Sequence, residues 1–432
     1  MIRRLLATAA VAAVAVVGSG GPAAALPPVS ALPLGPDAPT EQRTHCASAV
    51  SADLADPPPG HRLLDIAAAH RFSRGAGVAV AVIDTGVAPH PRLPRLIPGG
   101  DYVGTGDGLT DCDAHGTLVA GLIAGQAAPT DGFVGVAPEA TIIAIRQSSG
   151  AYQATGRGAD GPVVGAGYGP PATLARAVVR AVDLGARVII VSEVACAAPG
   201  DRADDELLGA ALARARERDV VVVAAAGNLT RATACREQNP AGAASAAHAW
   251  AQLRTSVSPA RFAPLVLVVG AVSAVDGSPA EFSLNGPWVG VAAPGTDVVS
   301  VMPGPTGPRL VAGLQTGDGP APLAGTSYAA PYVAGLAALV RARYPEMSAG
   351  EVIDRIVRTA HGGGHDLTVG AGVVDPVAAL TDELPEPTAA APRAFQAPGP
   401  REMPTTGSGA MLIGAGSAGC ALLGAWLLRR RR

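Results

Sequence analysis

The chain has 432 residues, a formal net charge of −3 and a sequence pI of about 6.2. Its basic residues are all arginine, and this near-neutral balance excludes a broad basic surface of the kind that binds nucleic acid. The composition changes near both ends, which favours one large domain with a tail at each end over several domains. We predict no nucleic-acid partner and no cofactor.

The N-terminal segment has the features of a secretory signal peptide. Two arginines precede an apolar run at residues 5–17, and three alanines at 23–25 provide a cleavage site of the A-x-A type. We therefore predict a signal peptide at residues 1–25, with an uncleaved membrane anchor as the alternative. Residues 26–61 are rich in proline and alanine and are predicted to form an extended arm.

Residues 62–384 alternate short β-branched runs with amphipathic stretches. The runs lack period-two alternation, which is typical of strands buried on both faces. Helices are indicated from Leu174 and from Leu207, and Ser348 with Glu351 forms a capping box. This pattern predicts an α/β fold with a central, mostly parallel sheet and helices on both faces. The predicted strands are 78–83, 142–145, 188–191 and 220–225.

The predicted domain also contains a long loop and an acidic helix start. Residues 150–171 are rich in glycine and proline, and a surface loop of that length is usually functional or mobile. Asp204 and Asp205 are interpreted as a solvated helix start. No acidic cluster has the spacing of a calcium loop, so we predict no metal site.

The C-terminal segment indicates membrane attachment. Residues 385–408 are again rich in proline and are predicted to be an extended linker. The next 20 residues, 409–428, carry no charge and as a helix would extend about 30 Å, the thickness of a bilayer core. Four arginines at 429–432 follow, which belong on the cytoplasmic side. We therefore predict a single-pass cell-membrane protein with an extracytoplasmic body.

A different attachment is suggested by the five residues 403–407, which read MPTTG. They resemble a sortase cell-wall sorting signal with methionine in the place of leucine. Cleavage between Thr406 and Gly407 would exchange the membrane span for a wall attachment. Both possibilities remain open at the level of sequence.

Cysteine usage fits an oxidising compartment. Of five cysteines, Cys420 lies in the predicted membrane span. The other four are predicted to form disulfides outside the cytoplasm, and their spacing alone does not choose among three pairings. They are Cys46, Cys112, Cys196 and Cys235.

Four short motifs carry residues suited to catalysis. Asp84 opens a D-T-G at the end of a predicted strand. Pepsin-like aspartic proteases also contain D-T-G, but their chemistry needs a second carboxylate, and no second D-T-G or D-S-G is present. His115 precedes an apolar helical stripe, and taken alone it is more often a cap than a catalyst.

Asn228 follows a buried strand in AAAGN, where it is either a simple turn residue or an amide donor for an oxyanion. Ser327, in GTSYAAP, begins a predicted helix, so its own backbone N–H is free. It is either a packed hydroxyl or a nucleophile. With the other motifs upstream, we expect Ser327 to be exposed.

The chain order Asp84, His115, Ser327, together with the motifs DTG, HGTLVAG, AAAGN and GTSYAAPYVAG, resembles the subtilisin-like serine proteases, or subtilases. The resemblance implies that Ser327 is the nucleophile, His115 the general base and then acid, and Asp84 the carboxylate that orients His115. Asn228 would bind the oxyanion. The protein would then cleave peptide bonds in proteins or peptides.

The same resemblance implies that substrate backbone is held by strand addition. The residues concerned are Ser192, Glu193, Ala225, Ala226 and Gly227. Many subtilases have Ser-Leu-Gly or Ser-Trp-Gly where this chain has Ser192, Glu193 and Val194. If Glu193 points into the cleft, it favours a basic or polar substrate residue; if it points outward, it implies nothing.

Signal peptide, peptidase domain and membrane span, with the stretches IRQSS, VSEVAC and GAGVVDPVAAL, resemble the mycosins, membrane-anchored subtilases associated with type VII secretion. The resemblance implies type VII membrane components as partners, and pairs Cys46 with Cys112 and Cys196 with Cys235. It also implies an alternative role, in which the protein stabilises the secretion complex and proteolysis is dispensable.

Overall fold

The computed structural model describes residues 29–155, 163–201, 205–230, 233–302, 309–362 and 366–385. The strands are β1 (Thr40–Gln42), β2 (Ala49–Ser51), β3 (Ala79–Asp84), β4 (Leu96–Asp101), β5 (Thr141–Arg146), β6 (Tyr152–Ala154), β7 (Val188–Val191), β8 (Ala195–Ala197), β9 (Val221–Ala225), β10 (Ser256–Ser258), β11 (Leu267–Val272), β12 (Val289–Pro294), β13 (Ser300–Met302), β14 (Arg309–Thr316) and β15 (Gly319–Pro322).

The helices are α1 (Pro59–Leu63), α2 (Ile66–Ala69), α3 (His115–Ala124), α4 (Pro171–Asp183), α5 (Glu206–Glu217), α6 (Ala246–Ala251), α7 (Thr326–Arg343), α8 (Ala349–Arg358) and α9 (Pro376–Thr381), with a 3₁₀ turn at Ala260–Phe262.

A central sheet of seven strands has the order β12-β11-β9-β7-β3-β5-β4. Every neighbouring pair in it is parallel. The predicted parallel sheet is therefore confirmed, and all four predicted strands lie in it. The helices that follow β3 and β7, α3 and α5, pack on opposite faces. Such a switch leaves a crevice at the carboxyl ends of the strands, where α/β proteins bind ligands.

Each face of the sheet has its own apolar core. Val80 and Val82 pack with α3, α7 and α8 on one face, whereas Ala81 and Ile83 pack with α4 and α5 on the other. This alternation follows from the two-residue period of a strand. The two-layer burial explains why the strand runs are apolar at every position.

The N-terminal arm is more structured than its sequence suggests. β1 pairs antiparallel with β6, and β2 pairs antiparallel with β14. The predicted extended arm thus contains two three-residue strands, each of which depends on a partner distant in sequence. Helix α1 begins at Pro59, so the boundary predicted after residue 61 falls inside a helix. Proline at a first helical position is well suited to start it.

Two further sequence interpretations need correction. Of the two residues interpreted as a solvated helix start, Asp204 lies outside the described residues. Asp205 is 1% exposed and its carboxylate binds the guanidinium of Arg261, so it is a buried ion-pair partner and not a solvated residue. The segment 150–171 contains β6, and its last residue, Pro171, already belongs to α4. Burial of Asp205 depends on a partner 56 positions away, which local sequence does not reveal.

The predicted signal peptide, most of the proline-rich linker, the predicted membrane span and the MPTTG segment lie outside the described residues. Within the residues that are described, no helix is both long and apolar enough to cross a membrane.

Candidate active site

Asp84 is the last residue of β3 and is fully buried. Its Oδ1 accepts hydrogen bonds from the backbone N–H of Thr85 at 2.8 Å and from His115 Nδ1 at 2.7 Å. The position follows from the fold, because β3 ends at the crevice. Asp84 is thereby held as an acceptor that fixes which nitrogen of His115 carries a proton.

His115 is the first residue of α3, and its side chain is 14% exposed. The ring of His115 lies 5.1 Å from the ring of Tyr328 in the first turn of α7. The preceding Ala114 has a left-handed backbone, with φ of 65°, a conformation costly for alanine that is typical of functional sites. The imidazole therefore lies between the end of β3 and the start of α7.

Asp111 ties the Asp84 and His115 motifs together, and the sequence analysis did not identify it. One carboxylate oxygen of Asp111 accepts from the Thr85 hydroxyl at 2.8 Å. The other accepts from the N–H and the hydroxyl of Thr117 at 2.8 and 2.6 Å. Asp111 stands four residues before His115. This closeness of a carboxylate to the histidine motif is the feature of the sequence that could have indicated its role.

Asp113, two residues after Asp111, performs a comparable task with different partners. Its carboxylate accepts hydrogen bonds from the Ser149 hydroxyl and from the Ala151 N–H. These bonds fasten the start of the glycine-rich loop to the segment that carries His115. Asp111 and Asp113 thus anchor this segment in two directions.

Ser327 is the second residue of α7, and the residue is 8% exposed. The expectation of an exposed serine is therefore wrong for the residue as a whole, because α7 is buried along most of its length. Among the described residues, neither the hydroxyl nor the backbone N–H of Ser327 has a hydrogen-bond partner. Both groups thus remain available to a ligand.

Asn228 lies opposite Ser327. Its Oδ1 accepts from the N–H and the hydroxyl of Thr326, which leaves Nδ2 as the free end. A side-chain carbon added to Gly325 would lie 3.0 Å from Ser327 Oγ and 3.1 Å from Asn228 Nδ2. Glycine at 325 therefore keeps open the space that the serine hydroxyl and the amide share.

The serine and the histidine are not joined by a hydrogen bond. Asp84 and His115 are in contact, whereas within the described ranges Ser327 Oγ donates to no side chain. In enzymes without substrate such contacts are often long and tighten only in the reactive complex. The structure thus brings the three expected residues to one edge of the sheet with one of their two contacts formed.

Glu193 points toward His115, which answers the question that its sequence position raised. Its Oε1 lies 3.4 Å from His115 Nδ1, and its side chain is 20% exposed. Burial raises the pKa of Glu193 to about 7, partly opposed by His115 and reinforced by Asp84. Burial alone would lower the pKa of His115, but the carboxylates of Asp84 and Glu193 raise it above its ordinary value.

The remaining residues expected to bind substrate have different surroundings. Ser192, 3% exposed, precedes Glu193 in the segment between β7 and β8, which is not a strand. Ala225 and Ala226 are buried, and the Ala226 N–H donates to Val269. The N–H of Gly227 donates to Thr326 and its carbonyl accepts from Leu284. The Gly227 N–H is therefore already engaged, whereas its carbonyl can still accept a second hydrogen bond.

The cysteines form the two disulfides that the resemblance implies. Cys46 is bonded to Cys112, and Cys196 to Cys235. The first disulfide joins the arm to the residue beside Asp111. The second holds β8, which follows the segment containing Glu193.

Asp84, His115 and Glu193 each offer a ligand atom within 4.8 Å of the others. The 2.7 Å contact between Asp84 and His115 is the length of a charge-assisted hydrogen bond. A proton on His115 Nδ1, donated to Asp84, accounts for this contact without an ion.

Comparisons with known proteins agree with this arrangement. The pattern described as the subtilase family, peptidase S8, matches residues 75–372. Mycosin-1 of Mycobacterium tuberculosis is 46% identical over 422 residues, covering 92% of this chain and 93% of that protein. Mycosin-1 of Mycolicibacterium smegmatis is 44% identical over 409 residues, covering 92% of this chain and 90% of that protein.

Solved structures are similar over the same region. The MycP3 protease from the type VII (ESX-3) secretion system has a TM-score of 0.76 at 45% identity, covering 83% of this chain and 100% of that chain. A chain of the intact ESX-5 inner membrane complex has a TM-score of 0.75 at 41% identity, covering 93% of this chain and 96% of that chain. The protein therefore belongs to the subtilases and, within them, to the mycosins, and it is a serine protease.

Proposed function

We propose that the protein is an extracytoplasmic endopeptidase of a type VII secretion pathway, which cleaves peptide bonds through an acyl-enzyme. The observation that carries the catalytic part is the 2.7 Å hydrogen bond between Asp84 and His115, at the edge of the sheet where the first turn of α7 carries Ser327. Ser327, His115 and Asp84 are the proposed nucleophile, base and orienting carboxylate.

In this mechanism, the oxygen of Ser327 attacks the carbonyl carbon of the scissile bond while His115 Nε2 takes its proton. Asp84 keeps the other proton on Nδ1 and stabilises the imidazolium that results. His115 then protonates the leaving amine, and water attacks the acyl-enzyme in the reverse sequence of proton transfers. The Ser327 contact with His115 forms when substrate fills the cleft.

The oxyanion of the tetrahedral intermediate is stabilised by two donors, Asn228 Nδ2 and the backbone N–H of Ser327. Both are free within the described part of the chain, and Gly325 leaves room between them. Donors fixed before the reaction are worth more than flexible ones, since they need no reorganisation. For Ala225, Ala226 and Gly227 we propose that they line the cleft, and for Ser192 and Glu193 that they contact substrate side chains.

Labelling with a fluorophosphonate tests the catalytic proposal directly. We expect stoichiometric labelling of the protein and none of Ser327→Ala, with thermal unfolding of the variant unchanged. Ser278→Ala, which alters an exposed turn serine, is the matched control and is expected to label fully. Labelling that persists in Ser327→Ala would refute the assignment of the nucleophile.

The pathway proposal is supported by the relatives: one similar chain is part of the ESX-5 inner membrane complex, and another structure is a protease of the ESX-3 system. Two disulfides suit an oxidising compartment outside the cytoplasm. We propose a single-pass membrane protein anchored by residues 409–428. Retention in the membrane after carbonate extraction, lost on deleting 409–432, is the expected result.

Sortase processing at Thr406 is the competing form of anchoring, and mass spectrometry of the mature C-terminus distinguishes the two. A peptide that ends at Arg432 supports the membrane span. A C-terminus at Thr406 joined to cell-wall material would replace it.

A structural role in the secretion complex is the second candidate function, favoured by the similarity to a chain that lies within an intact membrane complex. Ser327→Ala separates the roles in cells that lack the wild-type gene. Secretion preserved without fluorophosphonate labelling would make proteolysis dispensable for transport. Loss of both would tie transport to catalysis.

A further inference from the structure

Glu193 lies beside the candidate triad in a position that its neighbours define closely. It stands between β7 and β8, and its carboxylate is 3.4 Å from the nitrogen of His115 that also binds Asp84. The side chain is mostly buried but not closed off from solvent, at 20% exposure. It is thus a partly exposed carboxylate in contact with His115 of the candidate triad.

The inward orientation of Glu193 depends on Gly165. The Gly165 N–H donates to the carbonyl of Val194 at 2.9 Å, which sets the glycine-rich loop against this segment. A side-chain carbon at Gly165 would lie 1.8 Å from Glu193 Oε2, and the backbone there is left-handed, with φ of 75°. Glycine at 165 is therefore what allows the carboxylate to occupy its place.

Among the described residues, the charge of Glu193 is only partly balanced. Within the described ranges, its sole ion-pair partner is His115, which is already shared with Asp84. The other ionisable groups that influence Glu193 are carboxylates: Asp84 at the end of β3, and Asp111 and Asp113 before α3. From α7 it faces Tyr328, whose phenol stays neutral because burial raises its pKa. A buried carboxylate among other carboxylates is costly unless a cation joins it.

We propose that Glu193 is a specificity-determining residue, which recognises a cationic side chain of the substrate, arginine or lysine, next to the scissile bond. A substrate guanidinium or ammonium group supplies a positive charge that, in the described part of the chain, only His115 provides beside Glu193, and it forms a charge-assisted hydrogen bond with the carboxylate oxygen that does not face His115. The proposal rests on the peptidase function proposed above, to which it adds the class of substrate residue.

Matched peptides test this selectivity. Each substrate is a tetra-alanine peptide joined to a fluorogenic coumarin amide. One of the four positions before the scissile bond carries either arginine or its neutral isostere citrulline, which gives four matched pairs. We expect kcat/KM to favour arginine at least tenfold at one position, and this ratio to fall below about twofold in Glu193→Gln. The control Glu281→Gln removes one exposed negative charge, two residues before Ser283, which forms a β-bridge with Asn228. This variant should keep the wild-type ratio of kcat/KM for arginine over citrulline.

Binding measured without catalysis separates this proposal from the peptidase function. Binding of the same peptides to Ser327→Ala is measured by fluorescence anisotropy and should show the same preference for arginine. In the double variant, which also carries Glu193→Gln, this preference should be lost. Arginine preference in binding without turnover of any peptide in the wild type would refute the peptidase function alone. Equal binding of arginine and citrulline at all positions, or a preference that survives Glu193→Gln, would overturn the role of Glu193.

The ratio of kcat/KM for arginine over citrulline should also depend on pH, which a purely structural glutamate would not cause. Because the carboxylate attracts cations only when ionised, and its pKa is raised to about 7, the arginine preference should fall as pH drops through 7. The ratio for Glu193→Gln should stay flat. Glu193→Asp, which keeps the charge but withdraws it by one methylene, should retain part of the preference and guards against misfolding of the glutamine variant. A wild-type ratio that is independent of pH would contradict the proposal.

Discussion

The side-chain oxygen of Asn228 accepts two hydrogen bonds from Thr326, one from the backbone N–H at 2.8 Å and one from the hydroxyl at 2.9 Å. The Thr326 hydroxyl in turn accepts from the N–H of Gly227 at 3.1 Å. These bonds fix the amide so that its Nδ2 faces the nucleophile. The AAAGN and GTSYAAP motifs therefore act as one unit, in which each holds the other.

Replacing Asn228 by alanine tests the role of the amide as an oxyanion donor. We expect kcat to fall about 10²–10³-fold with KM nearly unchanged, because the donor acts on charge that develops in the transition state. Steady-state kinetics on a fluorogenic peptide measure this. Thr326→Val loosens the amide without removing it, so its loss should be smaller. A change in KM alone for Asn228→Ala would contradict the assignment.

Gly325→Ala tests whether the space between Ser327 and Asn228 is needed. The added carbon would lie about 3 Å from both side chains, where the oxyanion of the intermediate must fit, so we expect a large fall in kcat with little change in unfolding temperature. Gly317→Ala is the control, because a side chain there meets no atom within 4 Å. Full activity in Gly325→Ala would place the oxyanion elsewhere.

Glu193→Gln should shift the pH dependence of activity on a neutral peptide. His115 acts as a base only when neutral, so activity is present above its pKa and is lost as pH falls through it. Burial lowers this pKa, but Asp84 and Glu193 raise it on balance. Removing the charge of Glu193 lowers the pKa again, so the acid limb of kcat/KM should move to lower pH. An unmoved limb would mean that Glu193 does not interact with His115 in solution.

Much of the site could be predicted because the fold itself brings the motifs together. Asp84 and Asn228 both follow buried strands of a parallel sheet, so they reach the same edge. The direction of Glu193 could not be predicted, since it depends on a glycine at 165 in a distant loop. The same holds for β1 and β2, which exist only through their distant partners.

The burial of Ser327 and the hydrogen bonds around Asp111 are two further features of the site that could not be predicted from the sequence. Enclosure of Ser327 to 8% exposure results from the packing of α7, which no local pattern encodes. Asp111 acquires its meaning from Thr85 and Thr117, which belong to two different motifs. Sequence motifs thus identify the reacting groups, whereas the side chains that position them emerge from long-range contacts.

The disulfide between Cys46 and Cys112 should stabilise the protein and keep His115 in place. It closes a separation of 66 residues, for which chain entropy predicts about 4 kcal/mol of unfolding free energy. We expect the double serine variant to lose about 2–4 kcal/mol in denaturant titrations, and to lose kcat because Cys112 adjoins Asp111. The disulfide between Cys196 and Cys235 closes a shorter separation of 39 residues. By the same relation, its loss should lower the free energy of unfolding by about 0.5 kcal/mol less than loss of the first disulfide.

The same disulfide predicts that the arm stays with the mature enzyme. Besides the bond to Cys112, β2 pairs with β14, and the Ala47 N–H donates to the Cys112 carbonyl at 2.7 Å. A single cut between Cys46 and helix α1 should therefore leave both pieces together on a non-reducing gel and separate them on a reducing one. Because the arm is held beside the cleft, we expect fluorophosphonate labelling to be equal before and after the cut. Mature, non-reduced protein that lacks the arm, or labelling that appears only after cleavage, would instead indicate a removable inhibitory segment.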